Sequence, residues 1–345
     1  MTPWPLFIAD WTSLDTGTAI VAVATVVACA LIGSMLVLRG MSMMGDAIAH
    51  AVLPGLVIAF LLTGRLDQNF MLIGAFAMGL LTTWMIQALR QYAEVAGDSA
   101  MGVVFTTLFA LGVLLSRVKT SGGVDLDADC VLYGSLATIA IDAVPVFGFE
   151  WPTSATLLTI VVVINGATLA LLWKELRLAA FDPPFAQALG FRPGLLHYLV
   201  MALTAVTAVA AFQAVGSILV IAMLIVPAAT AHLLTDRLSR MVSLSVVFAT
   251  LAACCGLGLN KTSILLHAEP AALIAVCAGV IYLSAALFAP RYGLVGKQWE
   301  RFRRATRIMG EDLLAMYFRL EELAPGRNLG TGETTQSLGG GLRAA

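Results

Sequence analysis

The stretch MSMMGDAIAHAVLPG (41–55) contains the residues best suited to chemistry, Asp46 and His50. Four positions apart, they fall on one face of a helix, one turn from each other. A carboxylate and a neutral imidazole together make a donor set that divalent transition metals accept. Met41, Met43 and Met44 stand nearby, but thioether sulfur suits copper(I) better than manganese. The run that follows, to Leu62, is almost wholly apolar, so the two polar residues open a helix bound for a bilayer. An ionised group inside a spanning helix costs ~2.5–3.5 kcal/mol on insertion scales and usually faces a bundle interior or a water-filled path. Two readings stay open: an ion path, or a helix capped by Asp46 with His50 as a satisfied interior histidine.

Other candidates carry weaker signals. Pro54 and Gly55 fall in the same helix, where proline removes a backbone bond and can introduce a kink; that kink serves either a rocking helix or static packing. Pro227 lies about one turn before His232 in LIVPAATAHLLTDRL, a second place for a kink. His232, His197 and His267 read as interfacial histidines near helix ends. Asp98, before SAMG, reads as a helix N-cap. Asp125, Asp127 and Asp129 alternate along VDLDAD and read as a solvated loop.

The elements that must position these residues are spelled out by composition. The chain has 345 residues, 59% apolar and 12% charged, against about 25% charged in soluble domains. It reads as an all-α polytopic membrane protein with eight or nine transmembrane helices. A bilayer span needs about 20 apolar residues, and the candidates are 17–38, 46–63, 69–88, 99–116, 154–173, 195–212, 214–234, 241–259 and 270–289. The break at Gln213 is the weakest of these boundaries. Lys and Arg in short loops set orientation. One set holds Arg39, Arg90, Lys174, Arg177, Arg192, Arg237, Arg240 and the basic tail, and the other Arg65, Arg117, Lys119 and Lys261. The first set is expected in the cytoplasm, with the C-terminus inside and, for nine spans, the N-terminus outside. Asp46 then falls at the cytoplasmic end of its helix. Either the preceding loop dips into the protein, or the helix count changes by one.

Residues 1–290 form the membrane domain and 291–345 a cytoplasmic extension, helical to about 324 and Gly-rich beyond. Between spans, 174–194 is the largest basic-flanked loop. Its Pro183 and Pro184 can open a short helix that Gly190 ends. The five cysteines, Cys29, Cys130, Cys254, Cys255 and Cys277, show no metal-finger spacing. A net charge of −1 gives no pointer to nucleic acid. No G-x-x-x-x-G-K-[ST] stretch is present, since LNKTS (259–263) has Asn260 where the second glycine must be. No HExxH or Ser/His/Asp set supports a protease. The chain is expected neither to bind ATP itself nor to act as an intramembrane protease.

Residues 38–62, LRGMSMMGDAIAHAVLPGLVIAFLL, resemble the signature of the ABC-3 metal-ion permeases, the membrane subunits of zinc, manganese and iron ABC importers. The likeness continues in GDSAMGVVFTTLFALGVLLSR (97–117), FDPPFAQALG (181–190) and QAVGSILVIAMLIVPAATAHLL (213–234). The resemblance implies a homodimer, or a pairing with a similar permease, in the cytoplasmic (inner) membrane of a prokaryote. It implies two cytoplasmic ATP-binding subunits and an extracytoplasmic metal-binding protein as partners. No permanent cofactor follows from it; the divalent metal is the substrate. It assigns Asp46 and His50 to the translocation path and 181–190 to a coupling helix, with Phe181, Asp182, Gln187 and Gly190 against the ATPase. EDLLAMYFRLEE (311–322) resembles the opening of a C-terminal extension in manganese or iron members, though here APGRNLGTGETTQSLGGGLRAA follows it. The rival class is a secondary transporter or channel driven by an ion gradient.

Overall fold

The computed structural model describes residues 13–64, 68–119, 134, 136, 143–146, 149–261, 269–289, 293, 305–316, 318 and 319. The elements in chain order are α1 Ser13–Leu38, α2 Met44–Ala51, α3 Leu53–Thr63, α4 Gln68–Tyr92, α5 Gly97–Lys119, β1 Ala143–Val146, β2 Phe149–Pro152, α6 Thr153–Leu171, α7 Trp173–Phe181, α8 Pro183–Ala188, α9 Pro193–Val215, α10 Ser217–Leu234, α11 Leu238–Asn260 and α12 Pro270–Phe288. Among the described residues, nine helices are long and apolar enough to cross a membrane, with α2 and α3 acting in series as one span.

A helix that is apolar all round must be buried in protein or lie in lipid. α1 takes the first course: Val21, Val26, Cys29, Ile32 and Met35 are fully buried, and α1 packs on α6, α9, α10 and α11. α12 takes the second on its outer face, where Val276, Val280 and Leu283 are about 60% exposed. Without a hydrophobic drive between helices in lipid, small residues let backbones approach. A Cβ on Gly33 would strike the Leu224 carbonyl of α10, and one on Gly256 would lie 2.6 Å from the Ile274 Cα of α12. Buried Thr25, Thr82 and Thr204 each bond the carbonyl four residues back at 2.7–2.8 Å. Asn165 of α6 donates to Thr207 of α9 at 2.8 Å and to the Ala28 carbonyl of α1 at 3.4 Å.

Four boundaries differ from the sequence reading. The break expected at Gln213 falls at Gly216 (φ +82°), because the helical bond from Gly216 N–H to the Phe212 carbonyl, 3.0 Å, carries α9 past Gln213. The span 46–63 is interrupted at Val52. The loop 174–194 begins as helix: WKELRLAAF continues α6 as α7 after Leu172, burying Leu176 and Ala179. A short antiparallel ribbon, β1–β2, precedes α6 and pairs Ala143 with Pro152. In the extension, residues 305–316 are helical, with Arg307 Nε bonding Glu311 Oε1 at 3.0 Å. Asp125, Asp127, Asp129, Cys130 and His267 lie outside the described residues.

At one end of the bundle Lys261 Nζ, just past α11, meets Asp15 Oδ2 of α1 at 2.6 Å, with both side chains about one quarter exposed. Asp15 also sits in the first turn of α1, where a carboxylate is favoured by the helix dipole. Lys261→Ala is expected to lower thermal stability by about 1 kcal/mol, less at high salt. Unfolding followed in detergent at two ionic strengths reads both effects, and a loss insensitive to salt would contradict the ion-pair assignment.

Candidate functional site

The first turn of α2 is capped by Met43 with no side-chain bond, and Asp46 lies inside that turn. This removes the N-cap role left open for Asp46. The i, i+4 spacing brings His50 Nε2 to 3.5 Å from Asp46 Oδ1. That exceeds a normal N–H···O length of ~2.7–3.2 Å, so the two groups are neighbours without a tight bond. For donor–metal distances of ~2.1 Å, a 3.5 Å separation subtends about 113° at the ion, close to a tetrahedral angle. Neither side chain is interior: Asp46 is 35% and His50 49% exposed. The imidazole is held by two α5 rings, Phe105 at 5.9 Å (tilted) and Phe109 at 5.8 Å (edge-on).

Pro54 sits in the first turn of α3. Having no N–H, it cannot bond the carbonyl of His50. The Gly55 N–H bonds the Val52 carbonyl at 3.0 Å, a tightened first turn. Gly55 itself is a contact point: a Cβ there would strike the Gly74 carbonyl of α4. Pro227 lies buried within α10 without ending it. His232 lies exposed near the end of α10. Asp98 falls in the first turn of α5, one residue past its start, and is not the cap.

The α1–α2 connection is anchored on the bundle through Met41, while Gly40 and Met43 stay exposed. Met41 is 1% exposed, and Arg90 Nη1 of α4 bonds its sulfur at 2.8 Å. Arg39 Nη1 donates to His197 Nδ1 at 3.0 Å, and His197 Nε2 meets Gln87 Oε1 at 2.8 Å. A guanidinium only donates, so His197 carries its proton on Nε2 and donates it to Gln87. Burial lowers the pKa of Arg39, which stays charged because a guanidinium starts so high. Arg39 Nε and Nη2 and Glu175 Oε2 are buried without hydrogen-bond partners among the described residues. His197, expected at an interface, thus ties three helix ends together. Gln87 and His197 lie four or five residues inside the ends of α4 and α9, roughly 7 Å. Asp46 and His50 follow on α2, both partly exposed.

The 181–190 segment forms as its residues dictate. Asp182 caps α8, its Oδ1 accepting the Phe185 N–H at 3.0 Å. Pro183 follows at the first position. Gly190 (φ +86°) closes the helix: its N–H bonds Gln187 O and Phe191 N–H bonds Ala186 O, at 2.9 and 3.0 Å, a Schellman ending. Gln187 is exposed, as are Phe181, Phe185 and Leu189 at 59%, 51% and 56%. Phe185 and Leu189, not singled out from the sequence, are apolar side chains exposed on a helix too short to span.

No group of three or more His, Cys, Asp or Glu able to hold a metal ion occurs among the described residues. The arrangement is a multi-pass membrane bundle with one two-donor polar pair on a broken helix, the build of a transport subunit. Residues 16–289 match the ABC 3 transport family, and the chain belongs to it. It is 45% identical over 273 residues to the manganese transport system membrane protein MntD of Bacillus subtilis, covering 79% of this chain and 91% of that one. To the zinc transport system membrane protein TroD of Treponema pallidum it is 38% identical over 276 residues, covering 80% and 74%. Among solved structures, PsaBC from Streptococcus pneumoniae in complex with Fab superposes with a TM-score of 0.66 at 31% identity, covering 83% of this chain and 96% of that one. A metal-chelate type ABC transporter in an inward-facing conformation, at 17% identity and a TM-score of 0.57, shares the fold alone.

Proposed function

We propose that this chain is the membrane-spanning permease subunit of an ATP-powered importer that carries a divalent transition metal (manganese, iron or zinc) into the cytoplasm. The observation that carries this reading is the Asp46–His50 pair, partly exposed and 3.5 Å apart on one helix face. The names of the relatives favour manganese or zinc. Two side chains do not complete a shell of four or more donors. A second copy, or a similar permease, presenting its own pair would do so across a shared path. An extracytoplasmic binding protein delivers the ion, Asp46 and His50 replace part of its water, and the basic end of the bundle, with the C-terminus, faces the cytoplasm. There Arg39, Arg90 and Met41 must part before the ion leaves.

Energy enters from ATP-binding subunits at α8. The packing supports a mechanical route: α8 contacts α7 and α9, and α9 packs on α2. The exposed Phe181, Phe185, Gln187 and Leu189 suit a protein partner. In this reading Asp182 and Gly190 shape the docking helix by capping its two ends. Co-purification with the ATP-binding subunit tests the assignment. Phe185→Ala with Leu189→Ala is expected to weaken recovery of that subunit at least ~10-fold, which corresponds to a loss of about 1.4 kcal/mol over the two side chains together. If the purified chain alone moves metal in liposomes, the gradient-driven reading replaces this one.

A further inference from the structure

A cavity of about 820 Å³ opens at the basic end, between α7 and the α10–α11 corner. Its walls include Trp173, Lys174, Arg177, Phe191, Asp236 and Arg237. Three cations thus face one carboxylate among the described lining residues, with aromatic rings at the sides. The depth of the cavity follows from the helix ends. α6 finishes at Leu171 and α10 at Leu234, and α11 starts at Leu238. Trp173 and Lys174 therefore sit two and three residues beyond a membrane span, and Arg237 one residue before the next. Arg177, six residues on, lies about 9 Å past the apolar run, beside a headgroup layer roughly 5–8 Å deep. Leu171, the last residue of α6 and two residues before Trp173 in the cavity wall, is 80% exposed. Basic pockets between spanning helices are suited to anionic headgroups, and Trp settles at this level.

From this juxtaposition we propose that the cavity binds an anionic phospholipid, its phosphate held by Lys174, Arg177 and Arg237 and its acyl chains lying along the exposed end of α6. The lipid would wedge between α7 and the α10–α11 corner, at the root of α8, where Phe191 leaves the docking helix. It would thereby stiffen the segment that carries α8's motion to α9. That the leaflet is the cytoplasmic one rests on the orientation proposed above; lipid binding itself does not.

Native mass spectrometry of the full chain, purified in mild detergent with equal phosphatidylglycerol and phosphatidylcholine, tests this. Wild type should retain phosphatidylglycerol in preference. Lys174→Gln/Arg177→Gln/Arg237→Gln should lose that preference at least ~10-fold, with Arg237→Gln alone as a milder variant should the triple change unfold the chain. Arg192→Gln/Arg240→Gln removes two charges from the same end outside the cavity and should leave the preference intact. An equal loss in that control, or displacement by millimolar inorganic phosphate, would overturn the proposal. Because the assay needs neither ATP nor transport, its failure is separate from failure of the importer reading. Side-specific labelling of Lys174→Cys reports the leaflet.

Discussion

Asp46→Ala and His50→Ala are each expected to abolish metal uptake while leaving the chain folded and its recovery with the proposed ATP-binding subunit intact. Each removes one of the two side-chain donors on the α2 face, so the loss should exceed the ~10–100-fold that follows from losing a mere outer-shell partner. Stability should hardly move, because both side chains are more than one third exposed and such substitutions usually fall within about 0.5 kcal/mol. Uptake of radioactive manganese, or of zinc, by cells expressing the complete transporter provides the readout, with co-purification as the assembly control. A carboxylate swap separates charge from geometry: Asp46→Glu keeps the charge but moves the oxygens away from the 3.5 Å spacing, and should keep part of the uptake that Asp46→Asn loses. Normal uptake in either alanine variant would remove the pair from the path.

Much of this architecture was legible because its causes are local. Run length alone marked the spans. Pro183 and Gly190, with Asp182 between Phe181 and the prolines, spell the start and stop of α8 in the dialect of helix caps. The i, i+4 spacing put Asp46 and His50 on one face before any coordinates. What stayed hidden is what depends on distant chain meeting in space. His197 is 158 residues from Arg39 and 110 from Gln87, so no window along the sequence connects them. The rings of Phe105 and Phe109 reach His50 from another helix. Gly55 was read beside Pro54 as part of a kink, and a glycine's neighbour across a crossing, here Gly74, leaves no trace in its own flanks. α7 was missed for the opposite reason: Lys174, Glu175 and Arg177 signalled a loop in a membrane protein, yet the same residues are good helix formers.

Gly33→Ala and Gly55→Ala should each destabilise the bundle, because a Cβ at either position meets the backbone of a neighbouring helix. At Gly33 the new Cβ would fall on the Leu224 carbonyl, 2.9 Å from its carbon. That carbonyl belongs to the α10 backbone and cannot rotate aside, so α1 and α10 must separate along one of the main contacts of the core. At Gly55 the obstacles are the Gly74 carbonyl and, at 2.6 Å, Met78 Cγ; the methionine can move and the carbonyl cannot. Overpacking costs about 1–3 kcal/mol when side chains can yield. Against backbone the upper end applies, which corresponds to a fall in melting temperature of roughly 5 °C or more. The same substitution provides its own control. Gly166 and Gly279 face open space, with nothing within 4 Å of an added Cβ. There Gly→Ala should leave stability unchanged or raise it by ~0.4–1 kcal/mol, through the lower entropy of the unfolded chain. Thermal unfolding of the four variants in one detergent therefore has a sign pattern to meet. A uniform loss would mean that any methyl disturbs the bundle and that the α1–α10 and α3–α4 crossings have no special closeness. Gly55→Ala carries a second consequence, because its helix begins where that of His50 ends. Prising α3 from α4 should tilt α2 and depress uptake beyond what the residual folded fraction accounts for, whereas Gly33→Ala should lower uptake only in proportion to folded protein.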